Sequence, residues 1–132
     1  MYQIVLLVED DSLVRRFVTA ALEQKNFIVL HASSGAEALE ISLKRIKIDL
    51  VLADVQLGGD INGIELAERI RRDKPGIKVL VMSGSPDRAA EAADKRLPFL
   101  MKPFSHADLT DRVQEALSGT KQPISAQSRP TE

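Results

Sequence analysis

Five polar residues end or directly follow short apolar runs: Glu9 and Asp10 after "YQIVLLV", Asp54 in "DLVLAD", Ser83 in "KVLVMS" and Lys102 in "PFLMKP". Each alone has an ordinary structural use. The acidic run Glu9, Asp10, Asp11 can favour the positive end of the helix that follows it. Asp54 can close a turn by accepting backbone hydrogen bonds. Ser83 can be a buried hydroxyl bonded to a carbonyl, and Lys102 a solvated lysine. Brought together they have a shared chemistry. Carboxylates at ~4 Å repel by about 1 kcal/mol per pair in water and about 4 at an effective dielectric near 20. A divalent cation removes that cost, and oxygen donors without His or Cys suit Mg²⁺ or Mn²⁺. A lysine can neutralise a second phosphate oxygen, and a hydroxyl can hydrogen-bond a third. This is the equipment of phosphoryl transfer, with Asp54 as the candidate nucleophile.

The elements that must position these residues follow from the apolar pattern. Runs at 2–8, 27–32, 49–54 and 78–83 are rich in Val, Ile and Leu without strict alternation, as in strands buried on both faces of a parallel sheet; a weaker run lies at 98–103. Helical periodicity fills the gaps. The expected buried stripes are Leu13, Phe17, Ala20 and Ala21 in 12–24; Ala36, Leu39, Leu43 and Ile46 in 35–46; Gly63, Leu66, Ala67 and Ile70 in 63–73; and Leu109, Val113, Ala116 and Leu117 in 105–118. Ser34 with Glu37, and more weakly Ser105 with Asp108, fit capping boxes. Ser85 before Pro86 fits an N-cap and first helical position. Residues 86–97 lack a strong apolar stripe and predict a short, loosely docked helix. Five β-α repeats mean a parallel sheet with right-handed crossovers and helices on both faces. The strand ends, where these polar residues sit, then face one crevice.

Composition narrows the classes. The chain has 132 residues, 44% apolar and 28% charged, with net charge −1, which argues against a dedicated nucleic-acid binder. It has no cysteine, so neither disulfides nor thiolate metal sites arise. No apolar run approaches a membrane span, and the start does not read as a signal peptide. The expected setting is cytoplasmic. One domain is expected over 1–118, and the polar tail 119–132 reads as disordered. The glycine-rich stretch "LADVQLGGDINGIELA" (52–67) matches neither GxGxxG nor GxxxxGK[ST]. That counts against a nucleotide-binding domain.

In order and without rearrangement, residues 3–118 resemble the receiver domain of bacterial two-component response regulators. The resemblance implies a doubly wound (βα)5 flavodoxin-like fold, a three-layer sandwich with sheet order 2-1-3-4-5. It makes Asp54 the phosphoacceptor, and Glu9, Asp10, Asp54 and the backbone carbonyl of Gln56 the ligands of Mg²⁺ or Mn²⁺. Asp11 caps or lines the rim. Ser83 and Lys102 become phosphate-binding switch residues, and Phe99 the aromatic switch residue. Lys102–Pro103 is implied as a cis bond, and Gln56 and Ser85 as tuning residues for dephosphorylation. The implied partners are a histidine kinase or histidine phosphotransfer protein and a downstream protein, with neither nucleic acid nor membrane and a monomeric or weakly dimeric state. Enzymatic activity is limited to self-phosphorylation and autodephosphorylation.

Departures from the family pattern are a glycine-rich loop in place of the common Met-Pro pair, a shortened fourth helix, and Phe99 where Tyr is common. The alternatives are a phosphorylation-independent interaction module and a receiver excised from a larger hybrid kinase or regulator. The start at Met1 and the polar tail favour a stand-alone regulator.

Overall fold

A computed structural model describes residues 2–44 and 46–119. The elements alternate: β1 (Ile4–Val8), α1 (Ser12–Gln24), β2 (Ile28–Ala32), α2 (Gly35–Ser42), β3 (Leu50–Asp54), α3 (Gly63–Asp73), β4 (Lys78–Ser83), α4 (Pro86–Asp94), β5 (Phe99–Met101) and α5 (His106–Ser118). The five strands form one parallel sheet in the order β2-β1-β3-β4-β5. This is the expected doubly wound architecture. The tail expected from 119 lies, beyond Gly119, outside the described residues.

Side chains alternate across the sheet and divide the core in two. Leu6, Val8, Val51, Ala53, Val79, Val81 and Phe99 face α2, α3 and α4. Val5, Leu7, Leu50, Leu52, Leu80, Met82 and Leu100 face α1 and α5. Central strands β1, β3 and β4 are buried on both faces, which is why they read as continuous apolar runs. β2 departs from that expectation. It is an edge strand, and Ile28 is 45% exposed.

Two helical stripes also differ from expectation. In α1 the buried residues are Val18, Ala21 and Leu22, whereas Leu13, Phe17 and Ala20 face outward. In α2 they are Gly35, Ala38 and Ser42; Leu43 and Ile46 are exposed. α2 stops at Ser42, short of 46, and the Ser42 hydroxyl donates to the Leu39 carbonyl at 2.7 Å. Gly35 faces Ile61 so closely that a Cβ would overlap its side chain, so close approach places α2 where larger residues cannot.

The stripes of α3 and α5 are as expected, except that Leu117 is only partly buried. Ser105 and Asp108 form a full capping box. Ser34 accepts from the Glu37 N–H, but the Glu37 carboxylate turns to the N–H and hydroxyl of Ser33, so that box is incomplete. α4 is short, and Ala89 and Ala92 are its buried residues. It is not loosely held. Lys95 pairs with Glu68 of α3 at 3.0 Å, and Arg71 of α3 donates to the Lys95 and Arg96 carbonyls at 2.8 Å each.

Candidate functional site

The carboxyl ends of β1, β3, β4 and β5 converge on one crevice. Glu9 follows β1 and is fully buried. Its Oε2 accepts from the Asp11 N–H at 3.1 Å, and its Oε1 accepts from Lys102 at 3.2 Å. Asp10 is exposed beside it. Asp11 is the N-cap of α1, accepting from the Leu13 and Val14 N–H groups at 2.9 and 3.2 Å. Arg15, one turn into α1, donates to the Glu9 carbonyl at 3.0 Å and fixes the start of this loop.

Asp54 ends β3 and is 7% exposed. One carboxylate oxygen accepts from the Gln56 N–H at 3.1 Å and the other from Lys102 Nζ at 3.1 Å. Ser83 ends β4 and is buried. Its Oγ accepts from the Ser85 N–H at 3.1 Å, and among the described residues no bond from it to a carbonyl is seen. Ser85 in turn caps α4 through the Arg88 N–H. Lys102, just past β5, is placed by its own N–H donating to the Ser83 carbonyl at 2.9 Å, and the Lys102–Pro103 bond is cis.

One ammonium thus bridges two carboxylates. Burial works against the charged form of Lys102, but Asp54 and Glu9 outweigh it and hold its pKa above the ordinary lysine value. Glu9 moves the other way from an ordinary carboxyl. Burial above all, with the neighbouring Asp54 charge, pushes it up to about 7, although the Asp11 N–H and Lys102 oppose the shift. Glu9, Asp10 and Asp54 each offer an oxygen within 4.8 Å of the other two. Three oxygen donors at one sheet edge, one of them with a buried and costly charge, fit a small hard divalent cation.

The remaining expected residues fall in two places. The side chain of Gln56 is exposed beside the crevice. Phe99 lies at the other end of β5, 4% exposed in the core. Its carbonyl accepts from the buried Arg112 guanidinium at 2.7 Å.

Several features were not anticipated from sequence. Asn62 and Glu65 make a complete capping box at the start of α3, a signal present in "NGIE". Gly63 donates to the Val55 carbonyl at 2.9 Å and lies against the backbone of Asp54. The outward-facing Leu13 and Phe17 line an apolar hollow of about 630 Å³ with Val14, Gly84, Lys102, Pro103 and Phe104. The rings of Phe17 and Phe104 are 6.1 Å apart at 46°. The signal was a second apolar stripe in α1, out of register with the buried one.

Comparison with known proteins agrees with this geometry. The family profile described as response regulator receiver domain matches residues 5–114. The response regulator receiver protein CpdR of Brucella abortus is 34% identical over 119 residues, covering 86% of this chain and 95% of CpdR. The sensor kinase CckA of the same organism is 37% identical over 118 residues, but the chain spans only 12% of that kinase's length. Among solved structures, a response regulator receiver protein from Sinorhizobium medicae superposes with a TM-score of 0.81 at 27% identity, over 91% of this chain and 98% of that one. No described helix is long and apolar enough to cross a membrane. On these grounds the chain belongs to the response regulator receiver domain family of two-component signalling.

Proposed function

We propose that this chain is a phosphoacceptor switch that takes a phosphoryl group on Asp54 from the phosphohistidine of a histidine kinase or phosphotransfer protein. The observation that carries this reading is the Lys102 bridge between Asp54 and Glu9, with Asp10 completing the carboxylate cluster. A purely structural sheet edge has no use for so much concentrated charge.

Glu9, Asp10, Asp54 and the carbonyl of Gln56 would hold Mg²⁺ or Mn²⁺, which when bound supplies charge neutralisation at the phosphoryl oxygens. The Asp54 carboxylate oxygen attacks phosphorus. The new P–O bond forms as the P–N bond of phosphohistidine breaks, and the imidazole nitrogen keeps the electron pair. Lys102, already within 3.1 Å of Asp54, follows the charge onto a phosphoryl oxygen. The Ser83 oxygen accepts from the Ser85 N–H, and its own proton would be donated to a second phosphoryl oxygen. The added negative charge draws the ends of β4 and β5 inward, and Phe99 repacks where β5 begins. Phosphorylation shifts a population between two arrangements that both pre-exist. Attack by water on phosphorus breaks the P–O bond, releases inorganic phosphate and restores the carboxylate. Gln56 and Ser85 flank that approach and tune its rate. No activity on another substrate is invoked, and the setting is cytoplasmic.

The apolar hollow beside Lys102 supports the same reading. Leu13 at 73% and Phe17 at 45% exposure offer a helix-sized contact next to the phosphoacceptor, where a donor helix carrying the phosphohistidine would rest. The test is incubation with acetyl phosphate and Mg²⁺ followed by intact mass. A single phosphate adduct on wild type and none on Asp54→Asn is expected. No adduct, or equal yield on both, overturns the proposal.

A further inference from the structure

We propose that the opposite end of the sheet carries a docking groove for an acidic, leucine- or isoleucine-bearing segment of a partner protein, separate from the phosphodonor surface. The groove has a volume of about 680 Å³ and is floored by Ile77, Leu97 and Phe99 beneath a rim of Arg71, Lys78 and Arg96. It lies where β4 and β5 begin, whereas the carboxylate cluster lies where they end. The span of β4 from Lys78 to Ser83 separates the two by about 16 Å at the usual rise per residue.

The charge of the rim selects the occupant. All three rim cations are exposed. Among the described residues, neither the Lys78 ammonium nor the Arg96 guanidinium has an ion-pair partner. Arg71 donates to two carbonyls, which orient its guanidinium and leave its charge uncompensated. The one acid of the lining, Glu115, already faces Arg112 at 3.6 Å. The groove is therefore a positive rim, of which Arg71 is held in place, over an apolar floor. The other end of the sheet, with Glu9, Asp10, Asp11 and Asp54, is negative. An acidic segment is repelled from that end and attracted to this one, so the charge distribution sets both location and orientation. Three cations over an apolar floor, on a chain of net charge −1, make too small a positive footprint for a nucleic acid and suit a short peptide with alternating acids and aliphatic side chains.

The test is a titration of the isotopically labelled full chain with a synthetic peptide of alternating glutamate and leucine. The same peptide with lysine in place of glutamate serves as control, and backbone amide resonances are followed. Saturable shifts at Ile77, Lys78, Arg96 and Leu97 with the acidic peptide alone are expected, weakening as salt is raised. The double variant Lys78→Glu, Arg96→Glu should bind at least about tenfold more weakly. The neutral pair Lys78→Gln, Arg96→Gln should fall between the two. Both variants should keep wild-type labelling of Asp54 by acetyl phosphate, which separates failure of this proposal from failure of the phosphoacceptor reading. Equal response to the basic peptide, shifts confined to Leu13 and Phe17, or no shifts overturn the proposal. So does occupation of the groove by residues 120–132 or by a second copy, seen as shifts on truncation or on dilution without peptide.

Discussion

Gly63, the first residue of α3, lies flat against the backbone of Asp54: a Cβ on Gly63 would overlap the Asp54 carbonyl oxygen and sit 2.7 Å from its carbonyl carbon. The helix that follows the Asp54 loop is thus seated directly on the end of the strand that carries Asp54. Of the loop glycines, Gly63 serves close approach and Gly59, at φ 101°, serves the turn.

Gly63→Ala should destabilise the fold. Alanine gains about 1 kcal/mol of helix propensity. Against this, the clash is with main-chain atoms that cannot rotate away, and overpacking of this kind costs typically 1–3 kcal/mol or more. The net expectation is a loss of about 1–2 kcal/mol, read from the urea midpoint. Gly58→Ala is the matched control. Its Cβ would meet nothing closer than Asp10 Oδ2 at 4.0 Å, and its stability should stay within about 0.5 kcal/mol of wild type.

Glu9→Gln should gain stability relative to the divalent-free wild type as pH rises to 8, because wild type must there carry a fully buried charge beside Asp54 that the variant lacks, although the amide oxygen can accept from only one of the two donors, the Asp11 N–H and Lys102, that the carboxylate satisfies. The sign follows from the raised pKa. With the folded value near 7 and the ordinary value 4.5, the folded wild type binds the proton more tightly. That contribution is fully present below 4.5 and is lost as pH rises through 7. The variant's stability relative to wild type should therefore fall as pH is lowered from 8 to 5, measured by chemical denaturation at each pH.

Leu13→Ser with Phe17→Ser should separate two kinds of phosphorylation. Both side chains are exposed, so unfolding should shift by less than about 1 kcal/mol. Labelling by acetyl phosphate, which needs no protein surface, should be unchanged. Transfer from a phosphorylated histidine phosphotransfer protein should slow by about tenfold or more, since apolar anchors at the centre of an interface dominate its affinity. Equal slowing with both donors would place the effect in the site itself.

The strand ends were legible because central parallel strands are apolar on both faces, so the first polar residue after Val8, and Asp54 and Ser83, mark where the core stops. Lys102 was found the same way despite a strand of only three residues. The helix faces were harder. In α1 two apolar stripes share one period, and sequence alone favoured the one with the larger side chains. The structure buries Val18, Ala21 and Leu22 and leaves Leu13 and Phe17 outside, next to the site. In α2 the same preference for size hid a close approach through Gly35 and Ala38. Arg112 of α5 is buried with its guanidinium on the Phe99 carbonyl, a long-range bond that no local pattern encodes.

The most direct measurement is chemical mapping of the phosphoryl group. The chain is treated with acetyl phosphate and Mg²⁺, reduced with borohydride, which converts an aspartyl phosphate to homoserine, digested and sequenced by tandem mass spectrometry. Homoserine at position 54 alone is expected, abolished by chelating the divalent ion before labelling. Homoserine at Asp10, Asp11 or Asp60 instead, or an intact Asp54 after labelling, would contradict Asp54 as the phosphoacceptor.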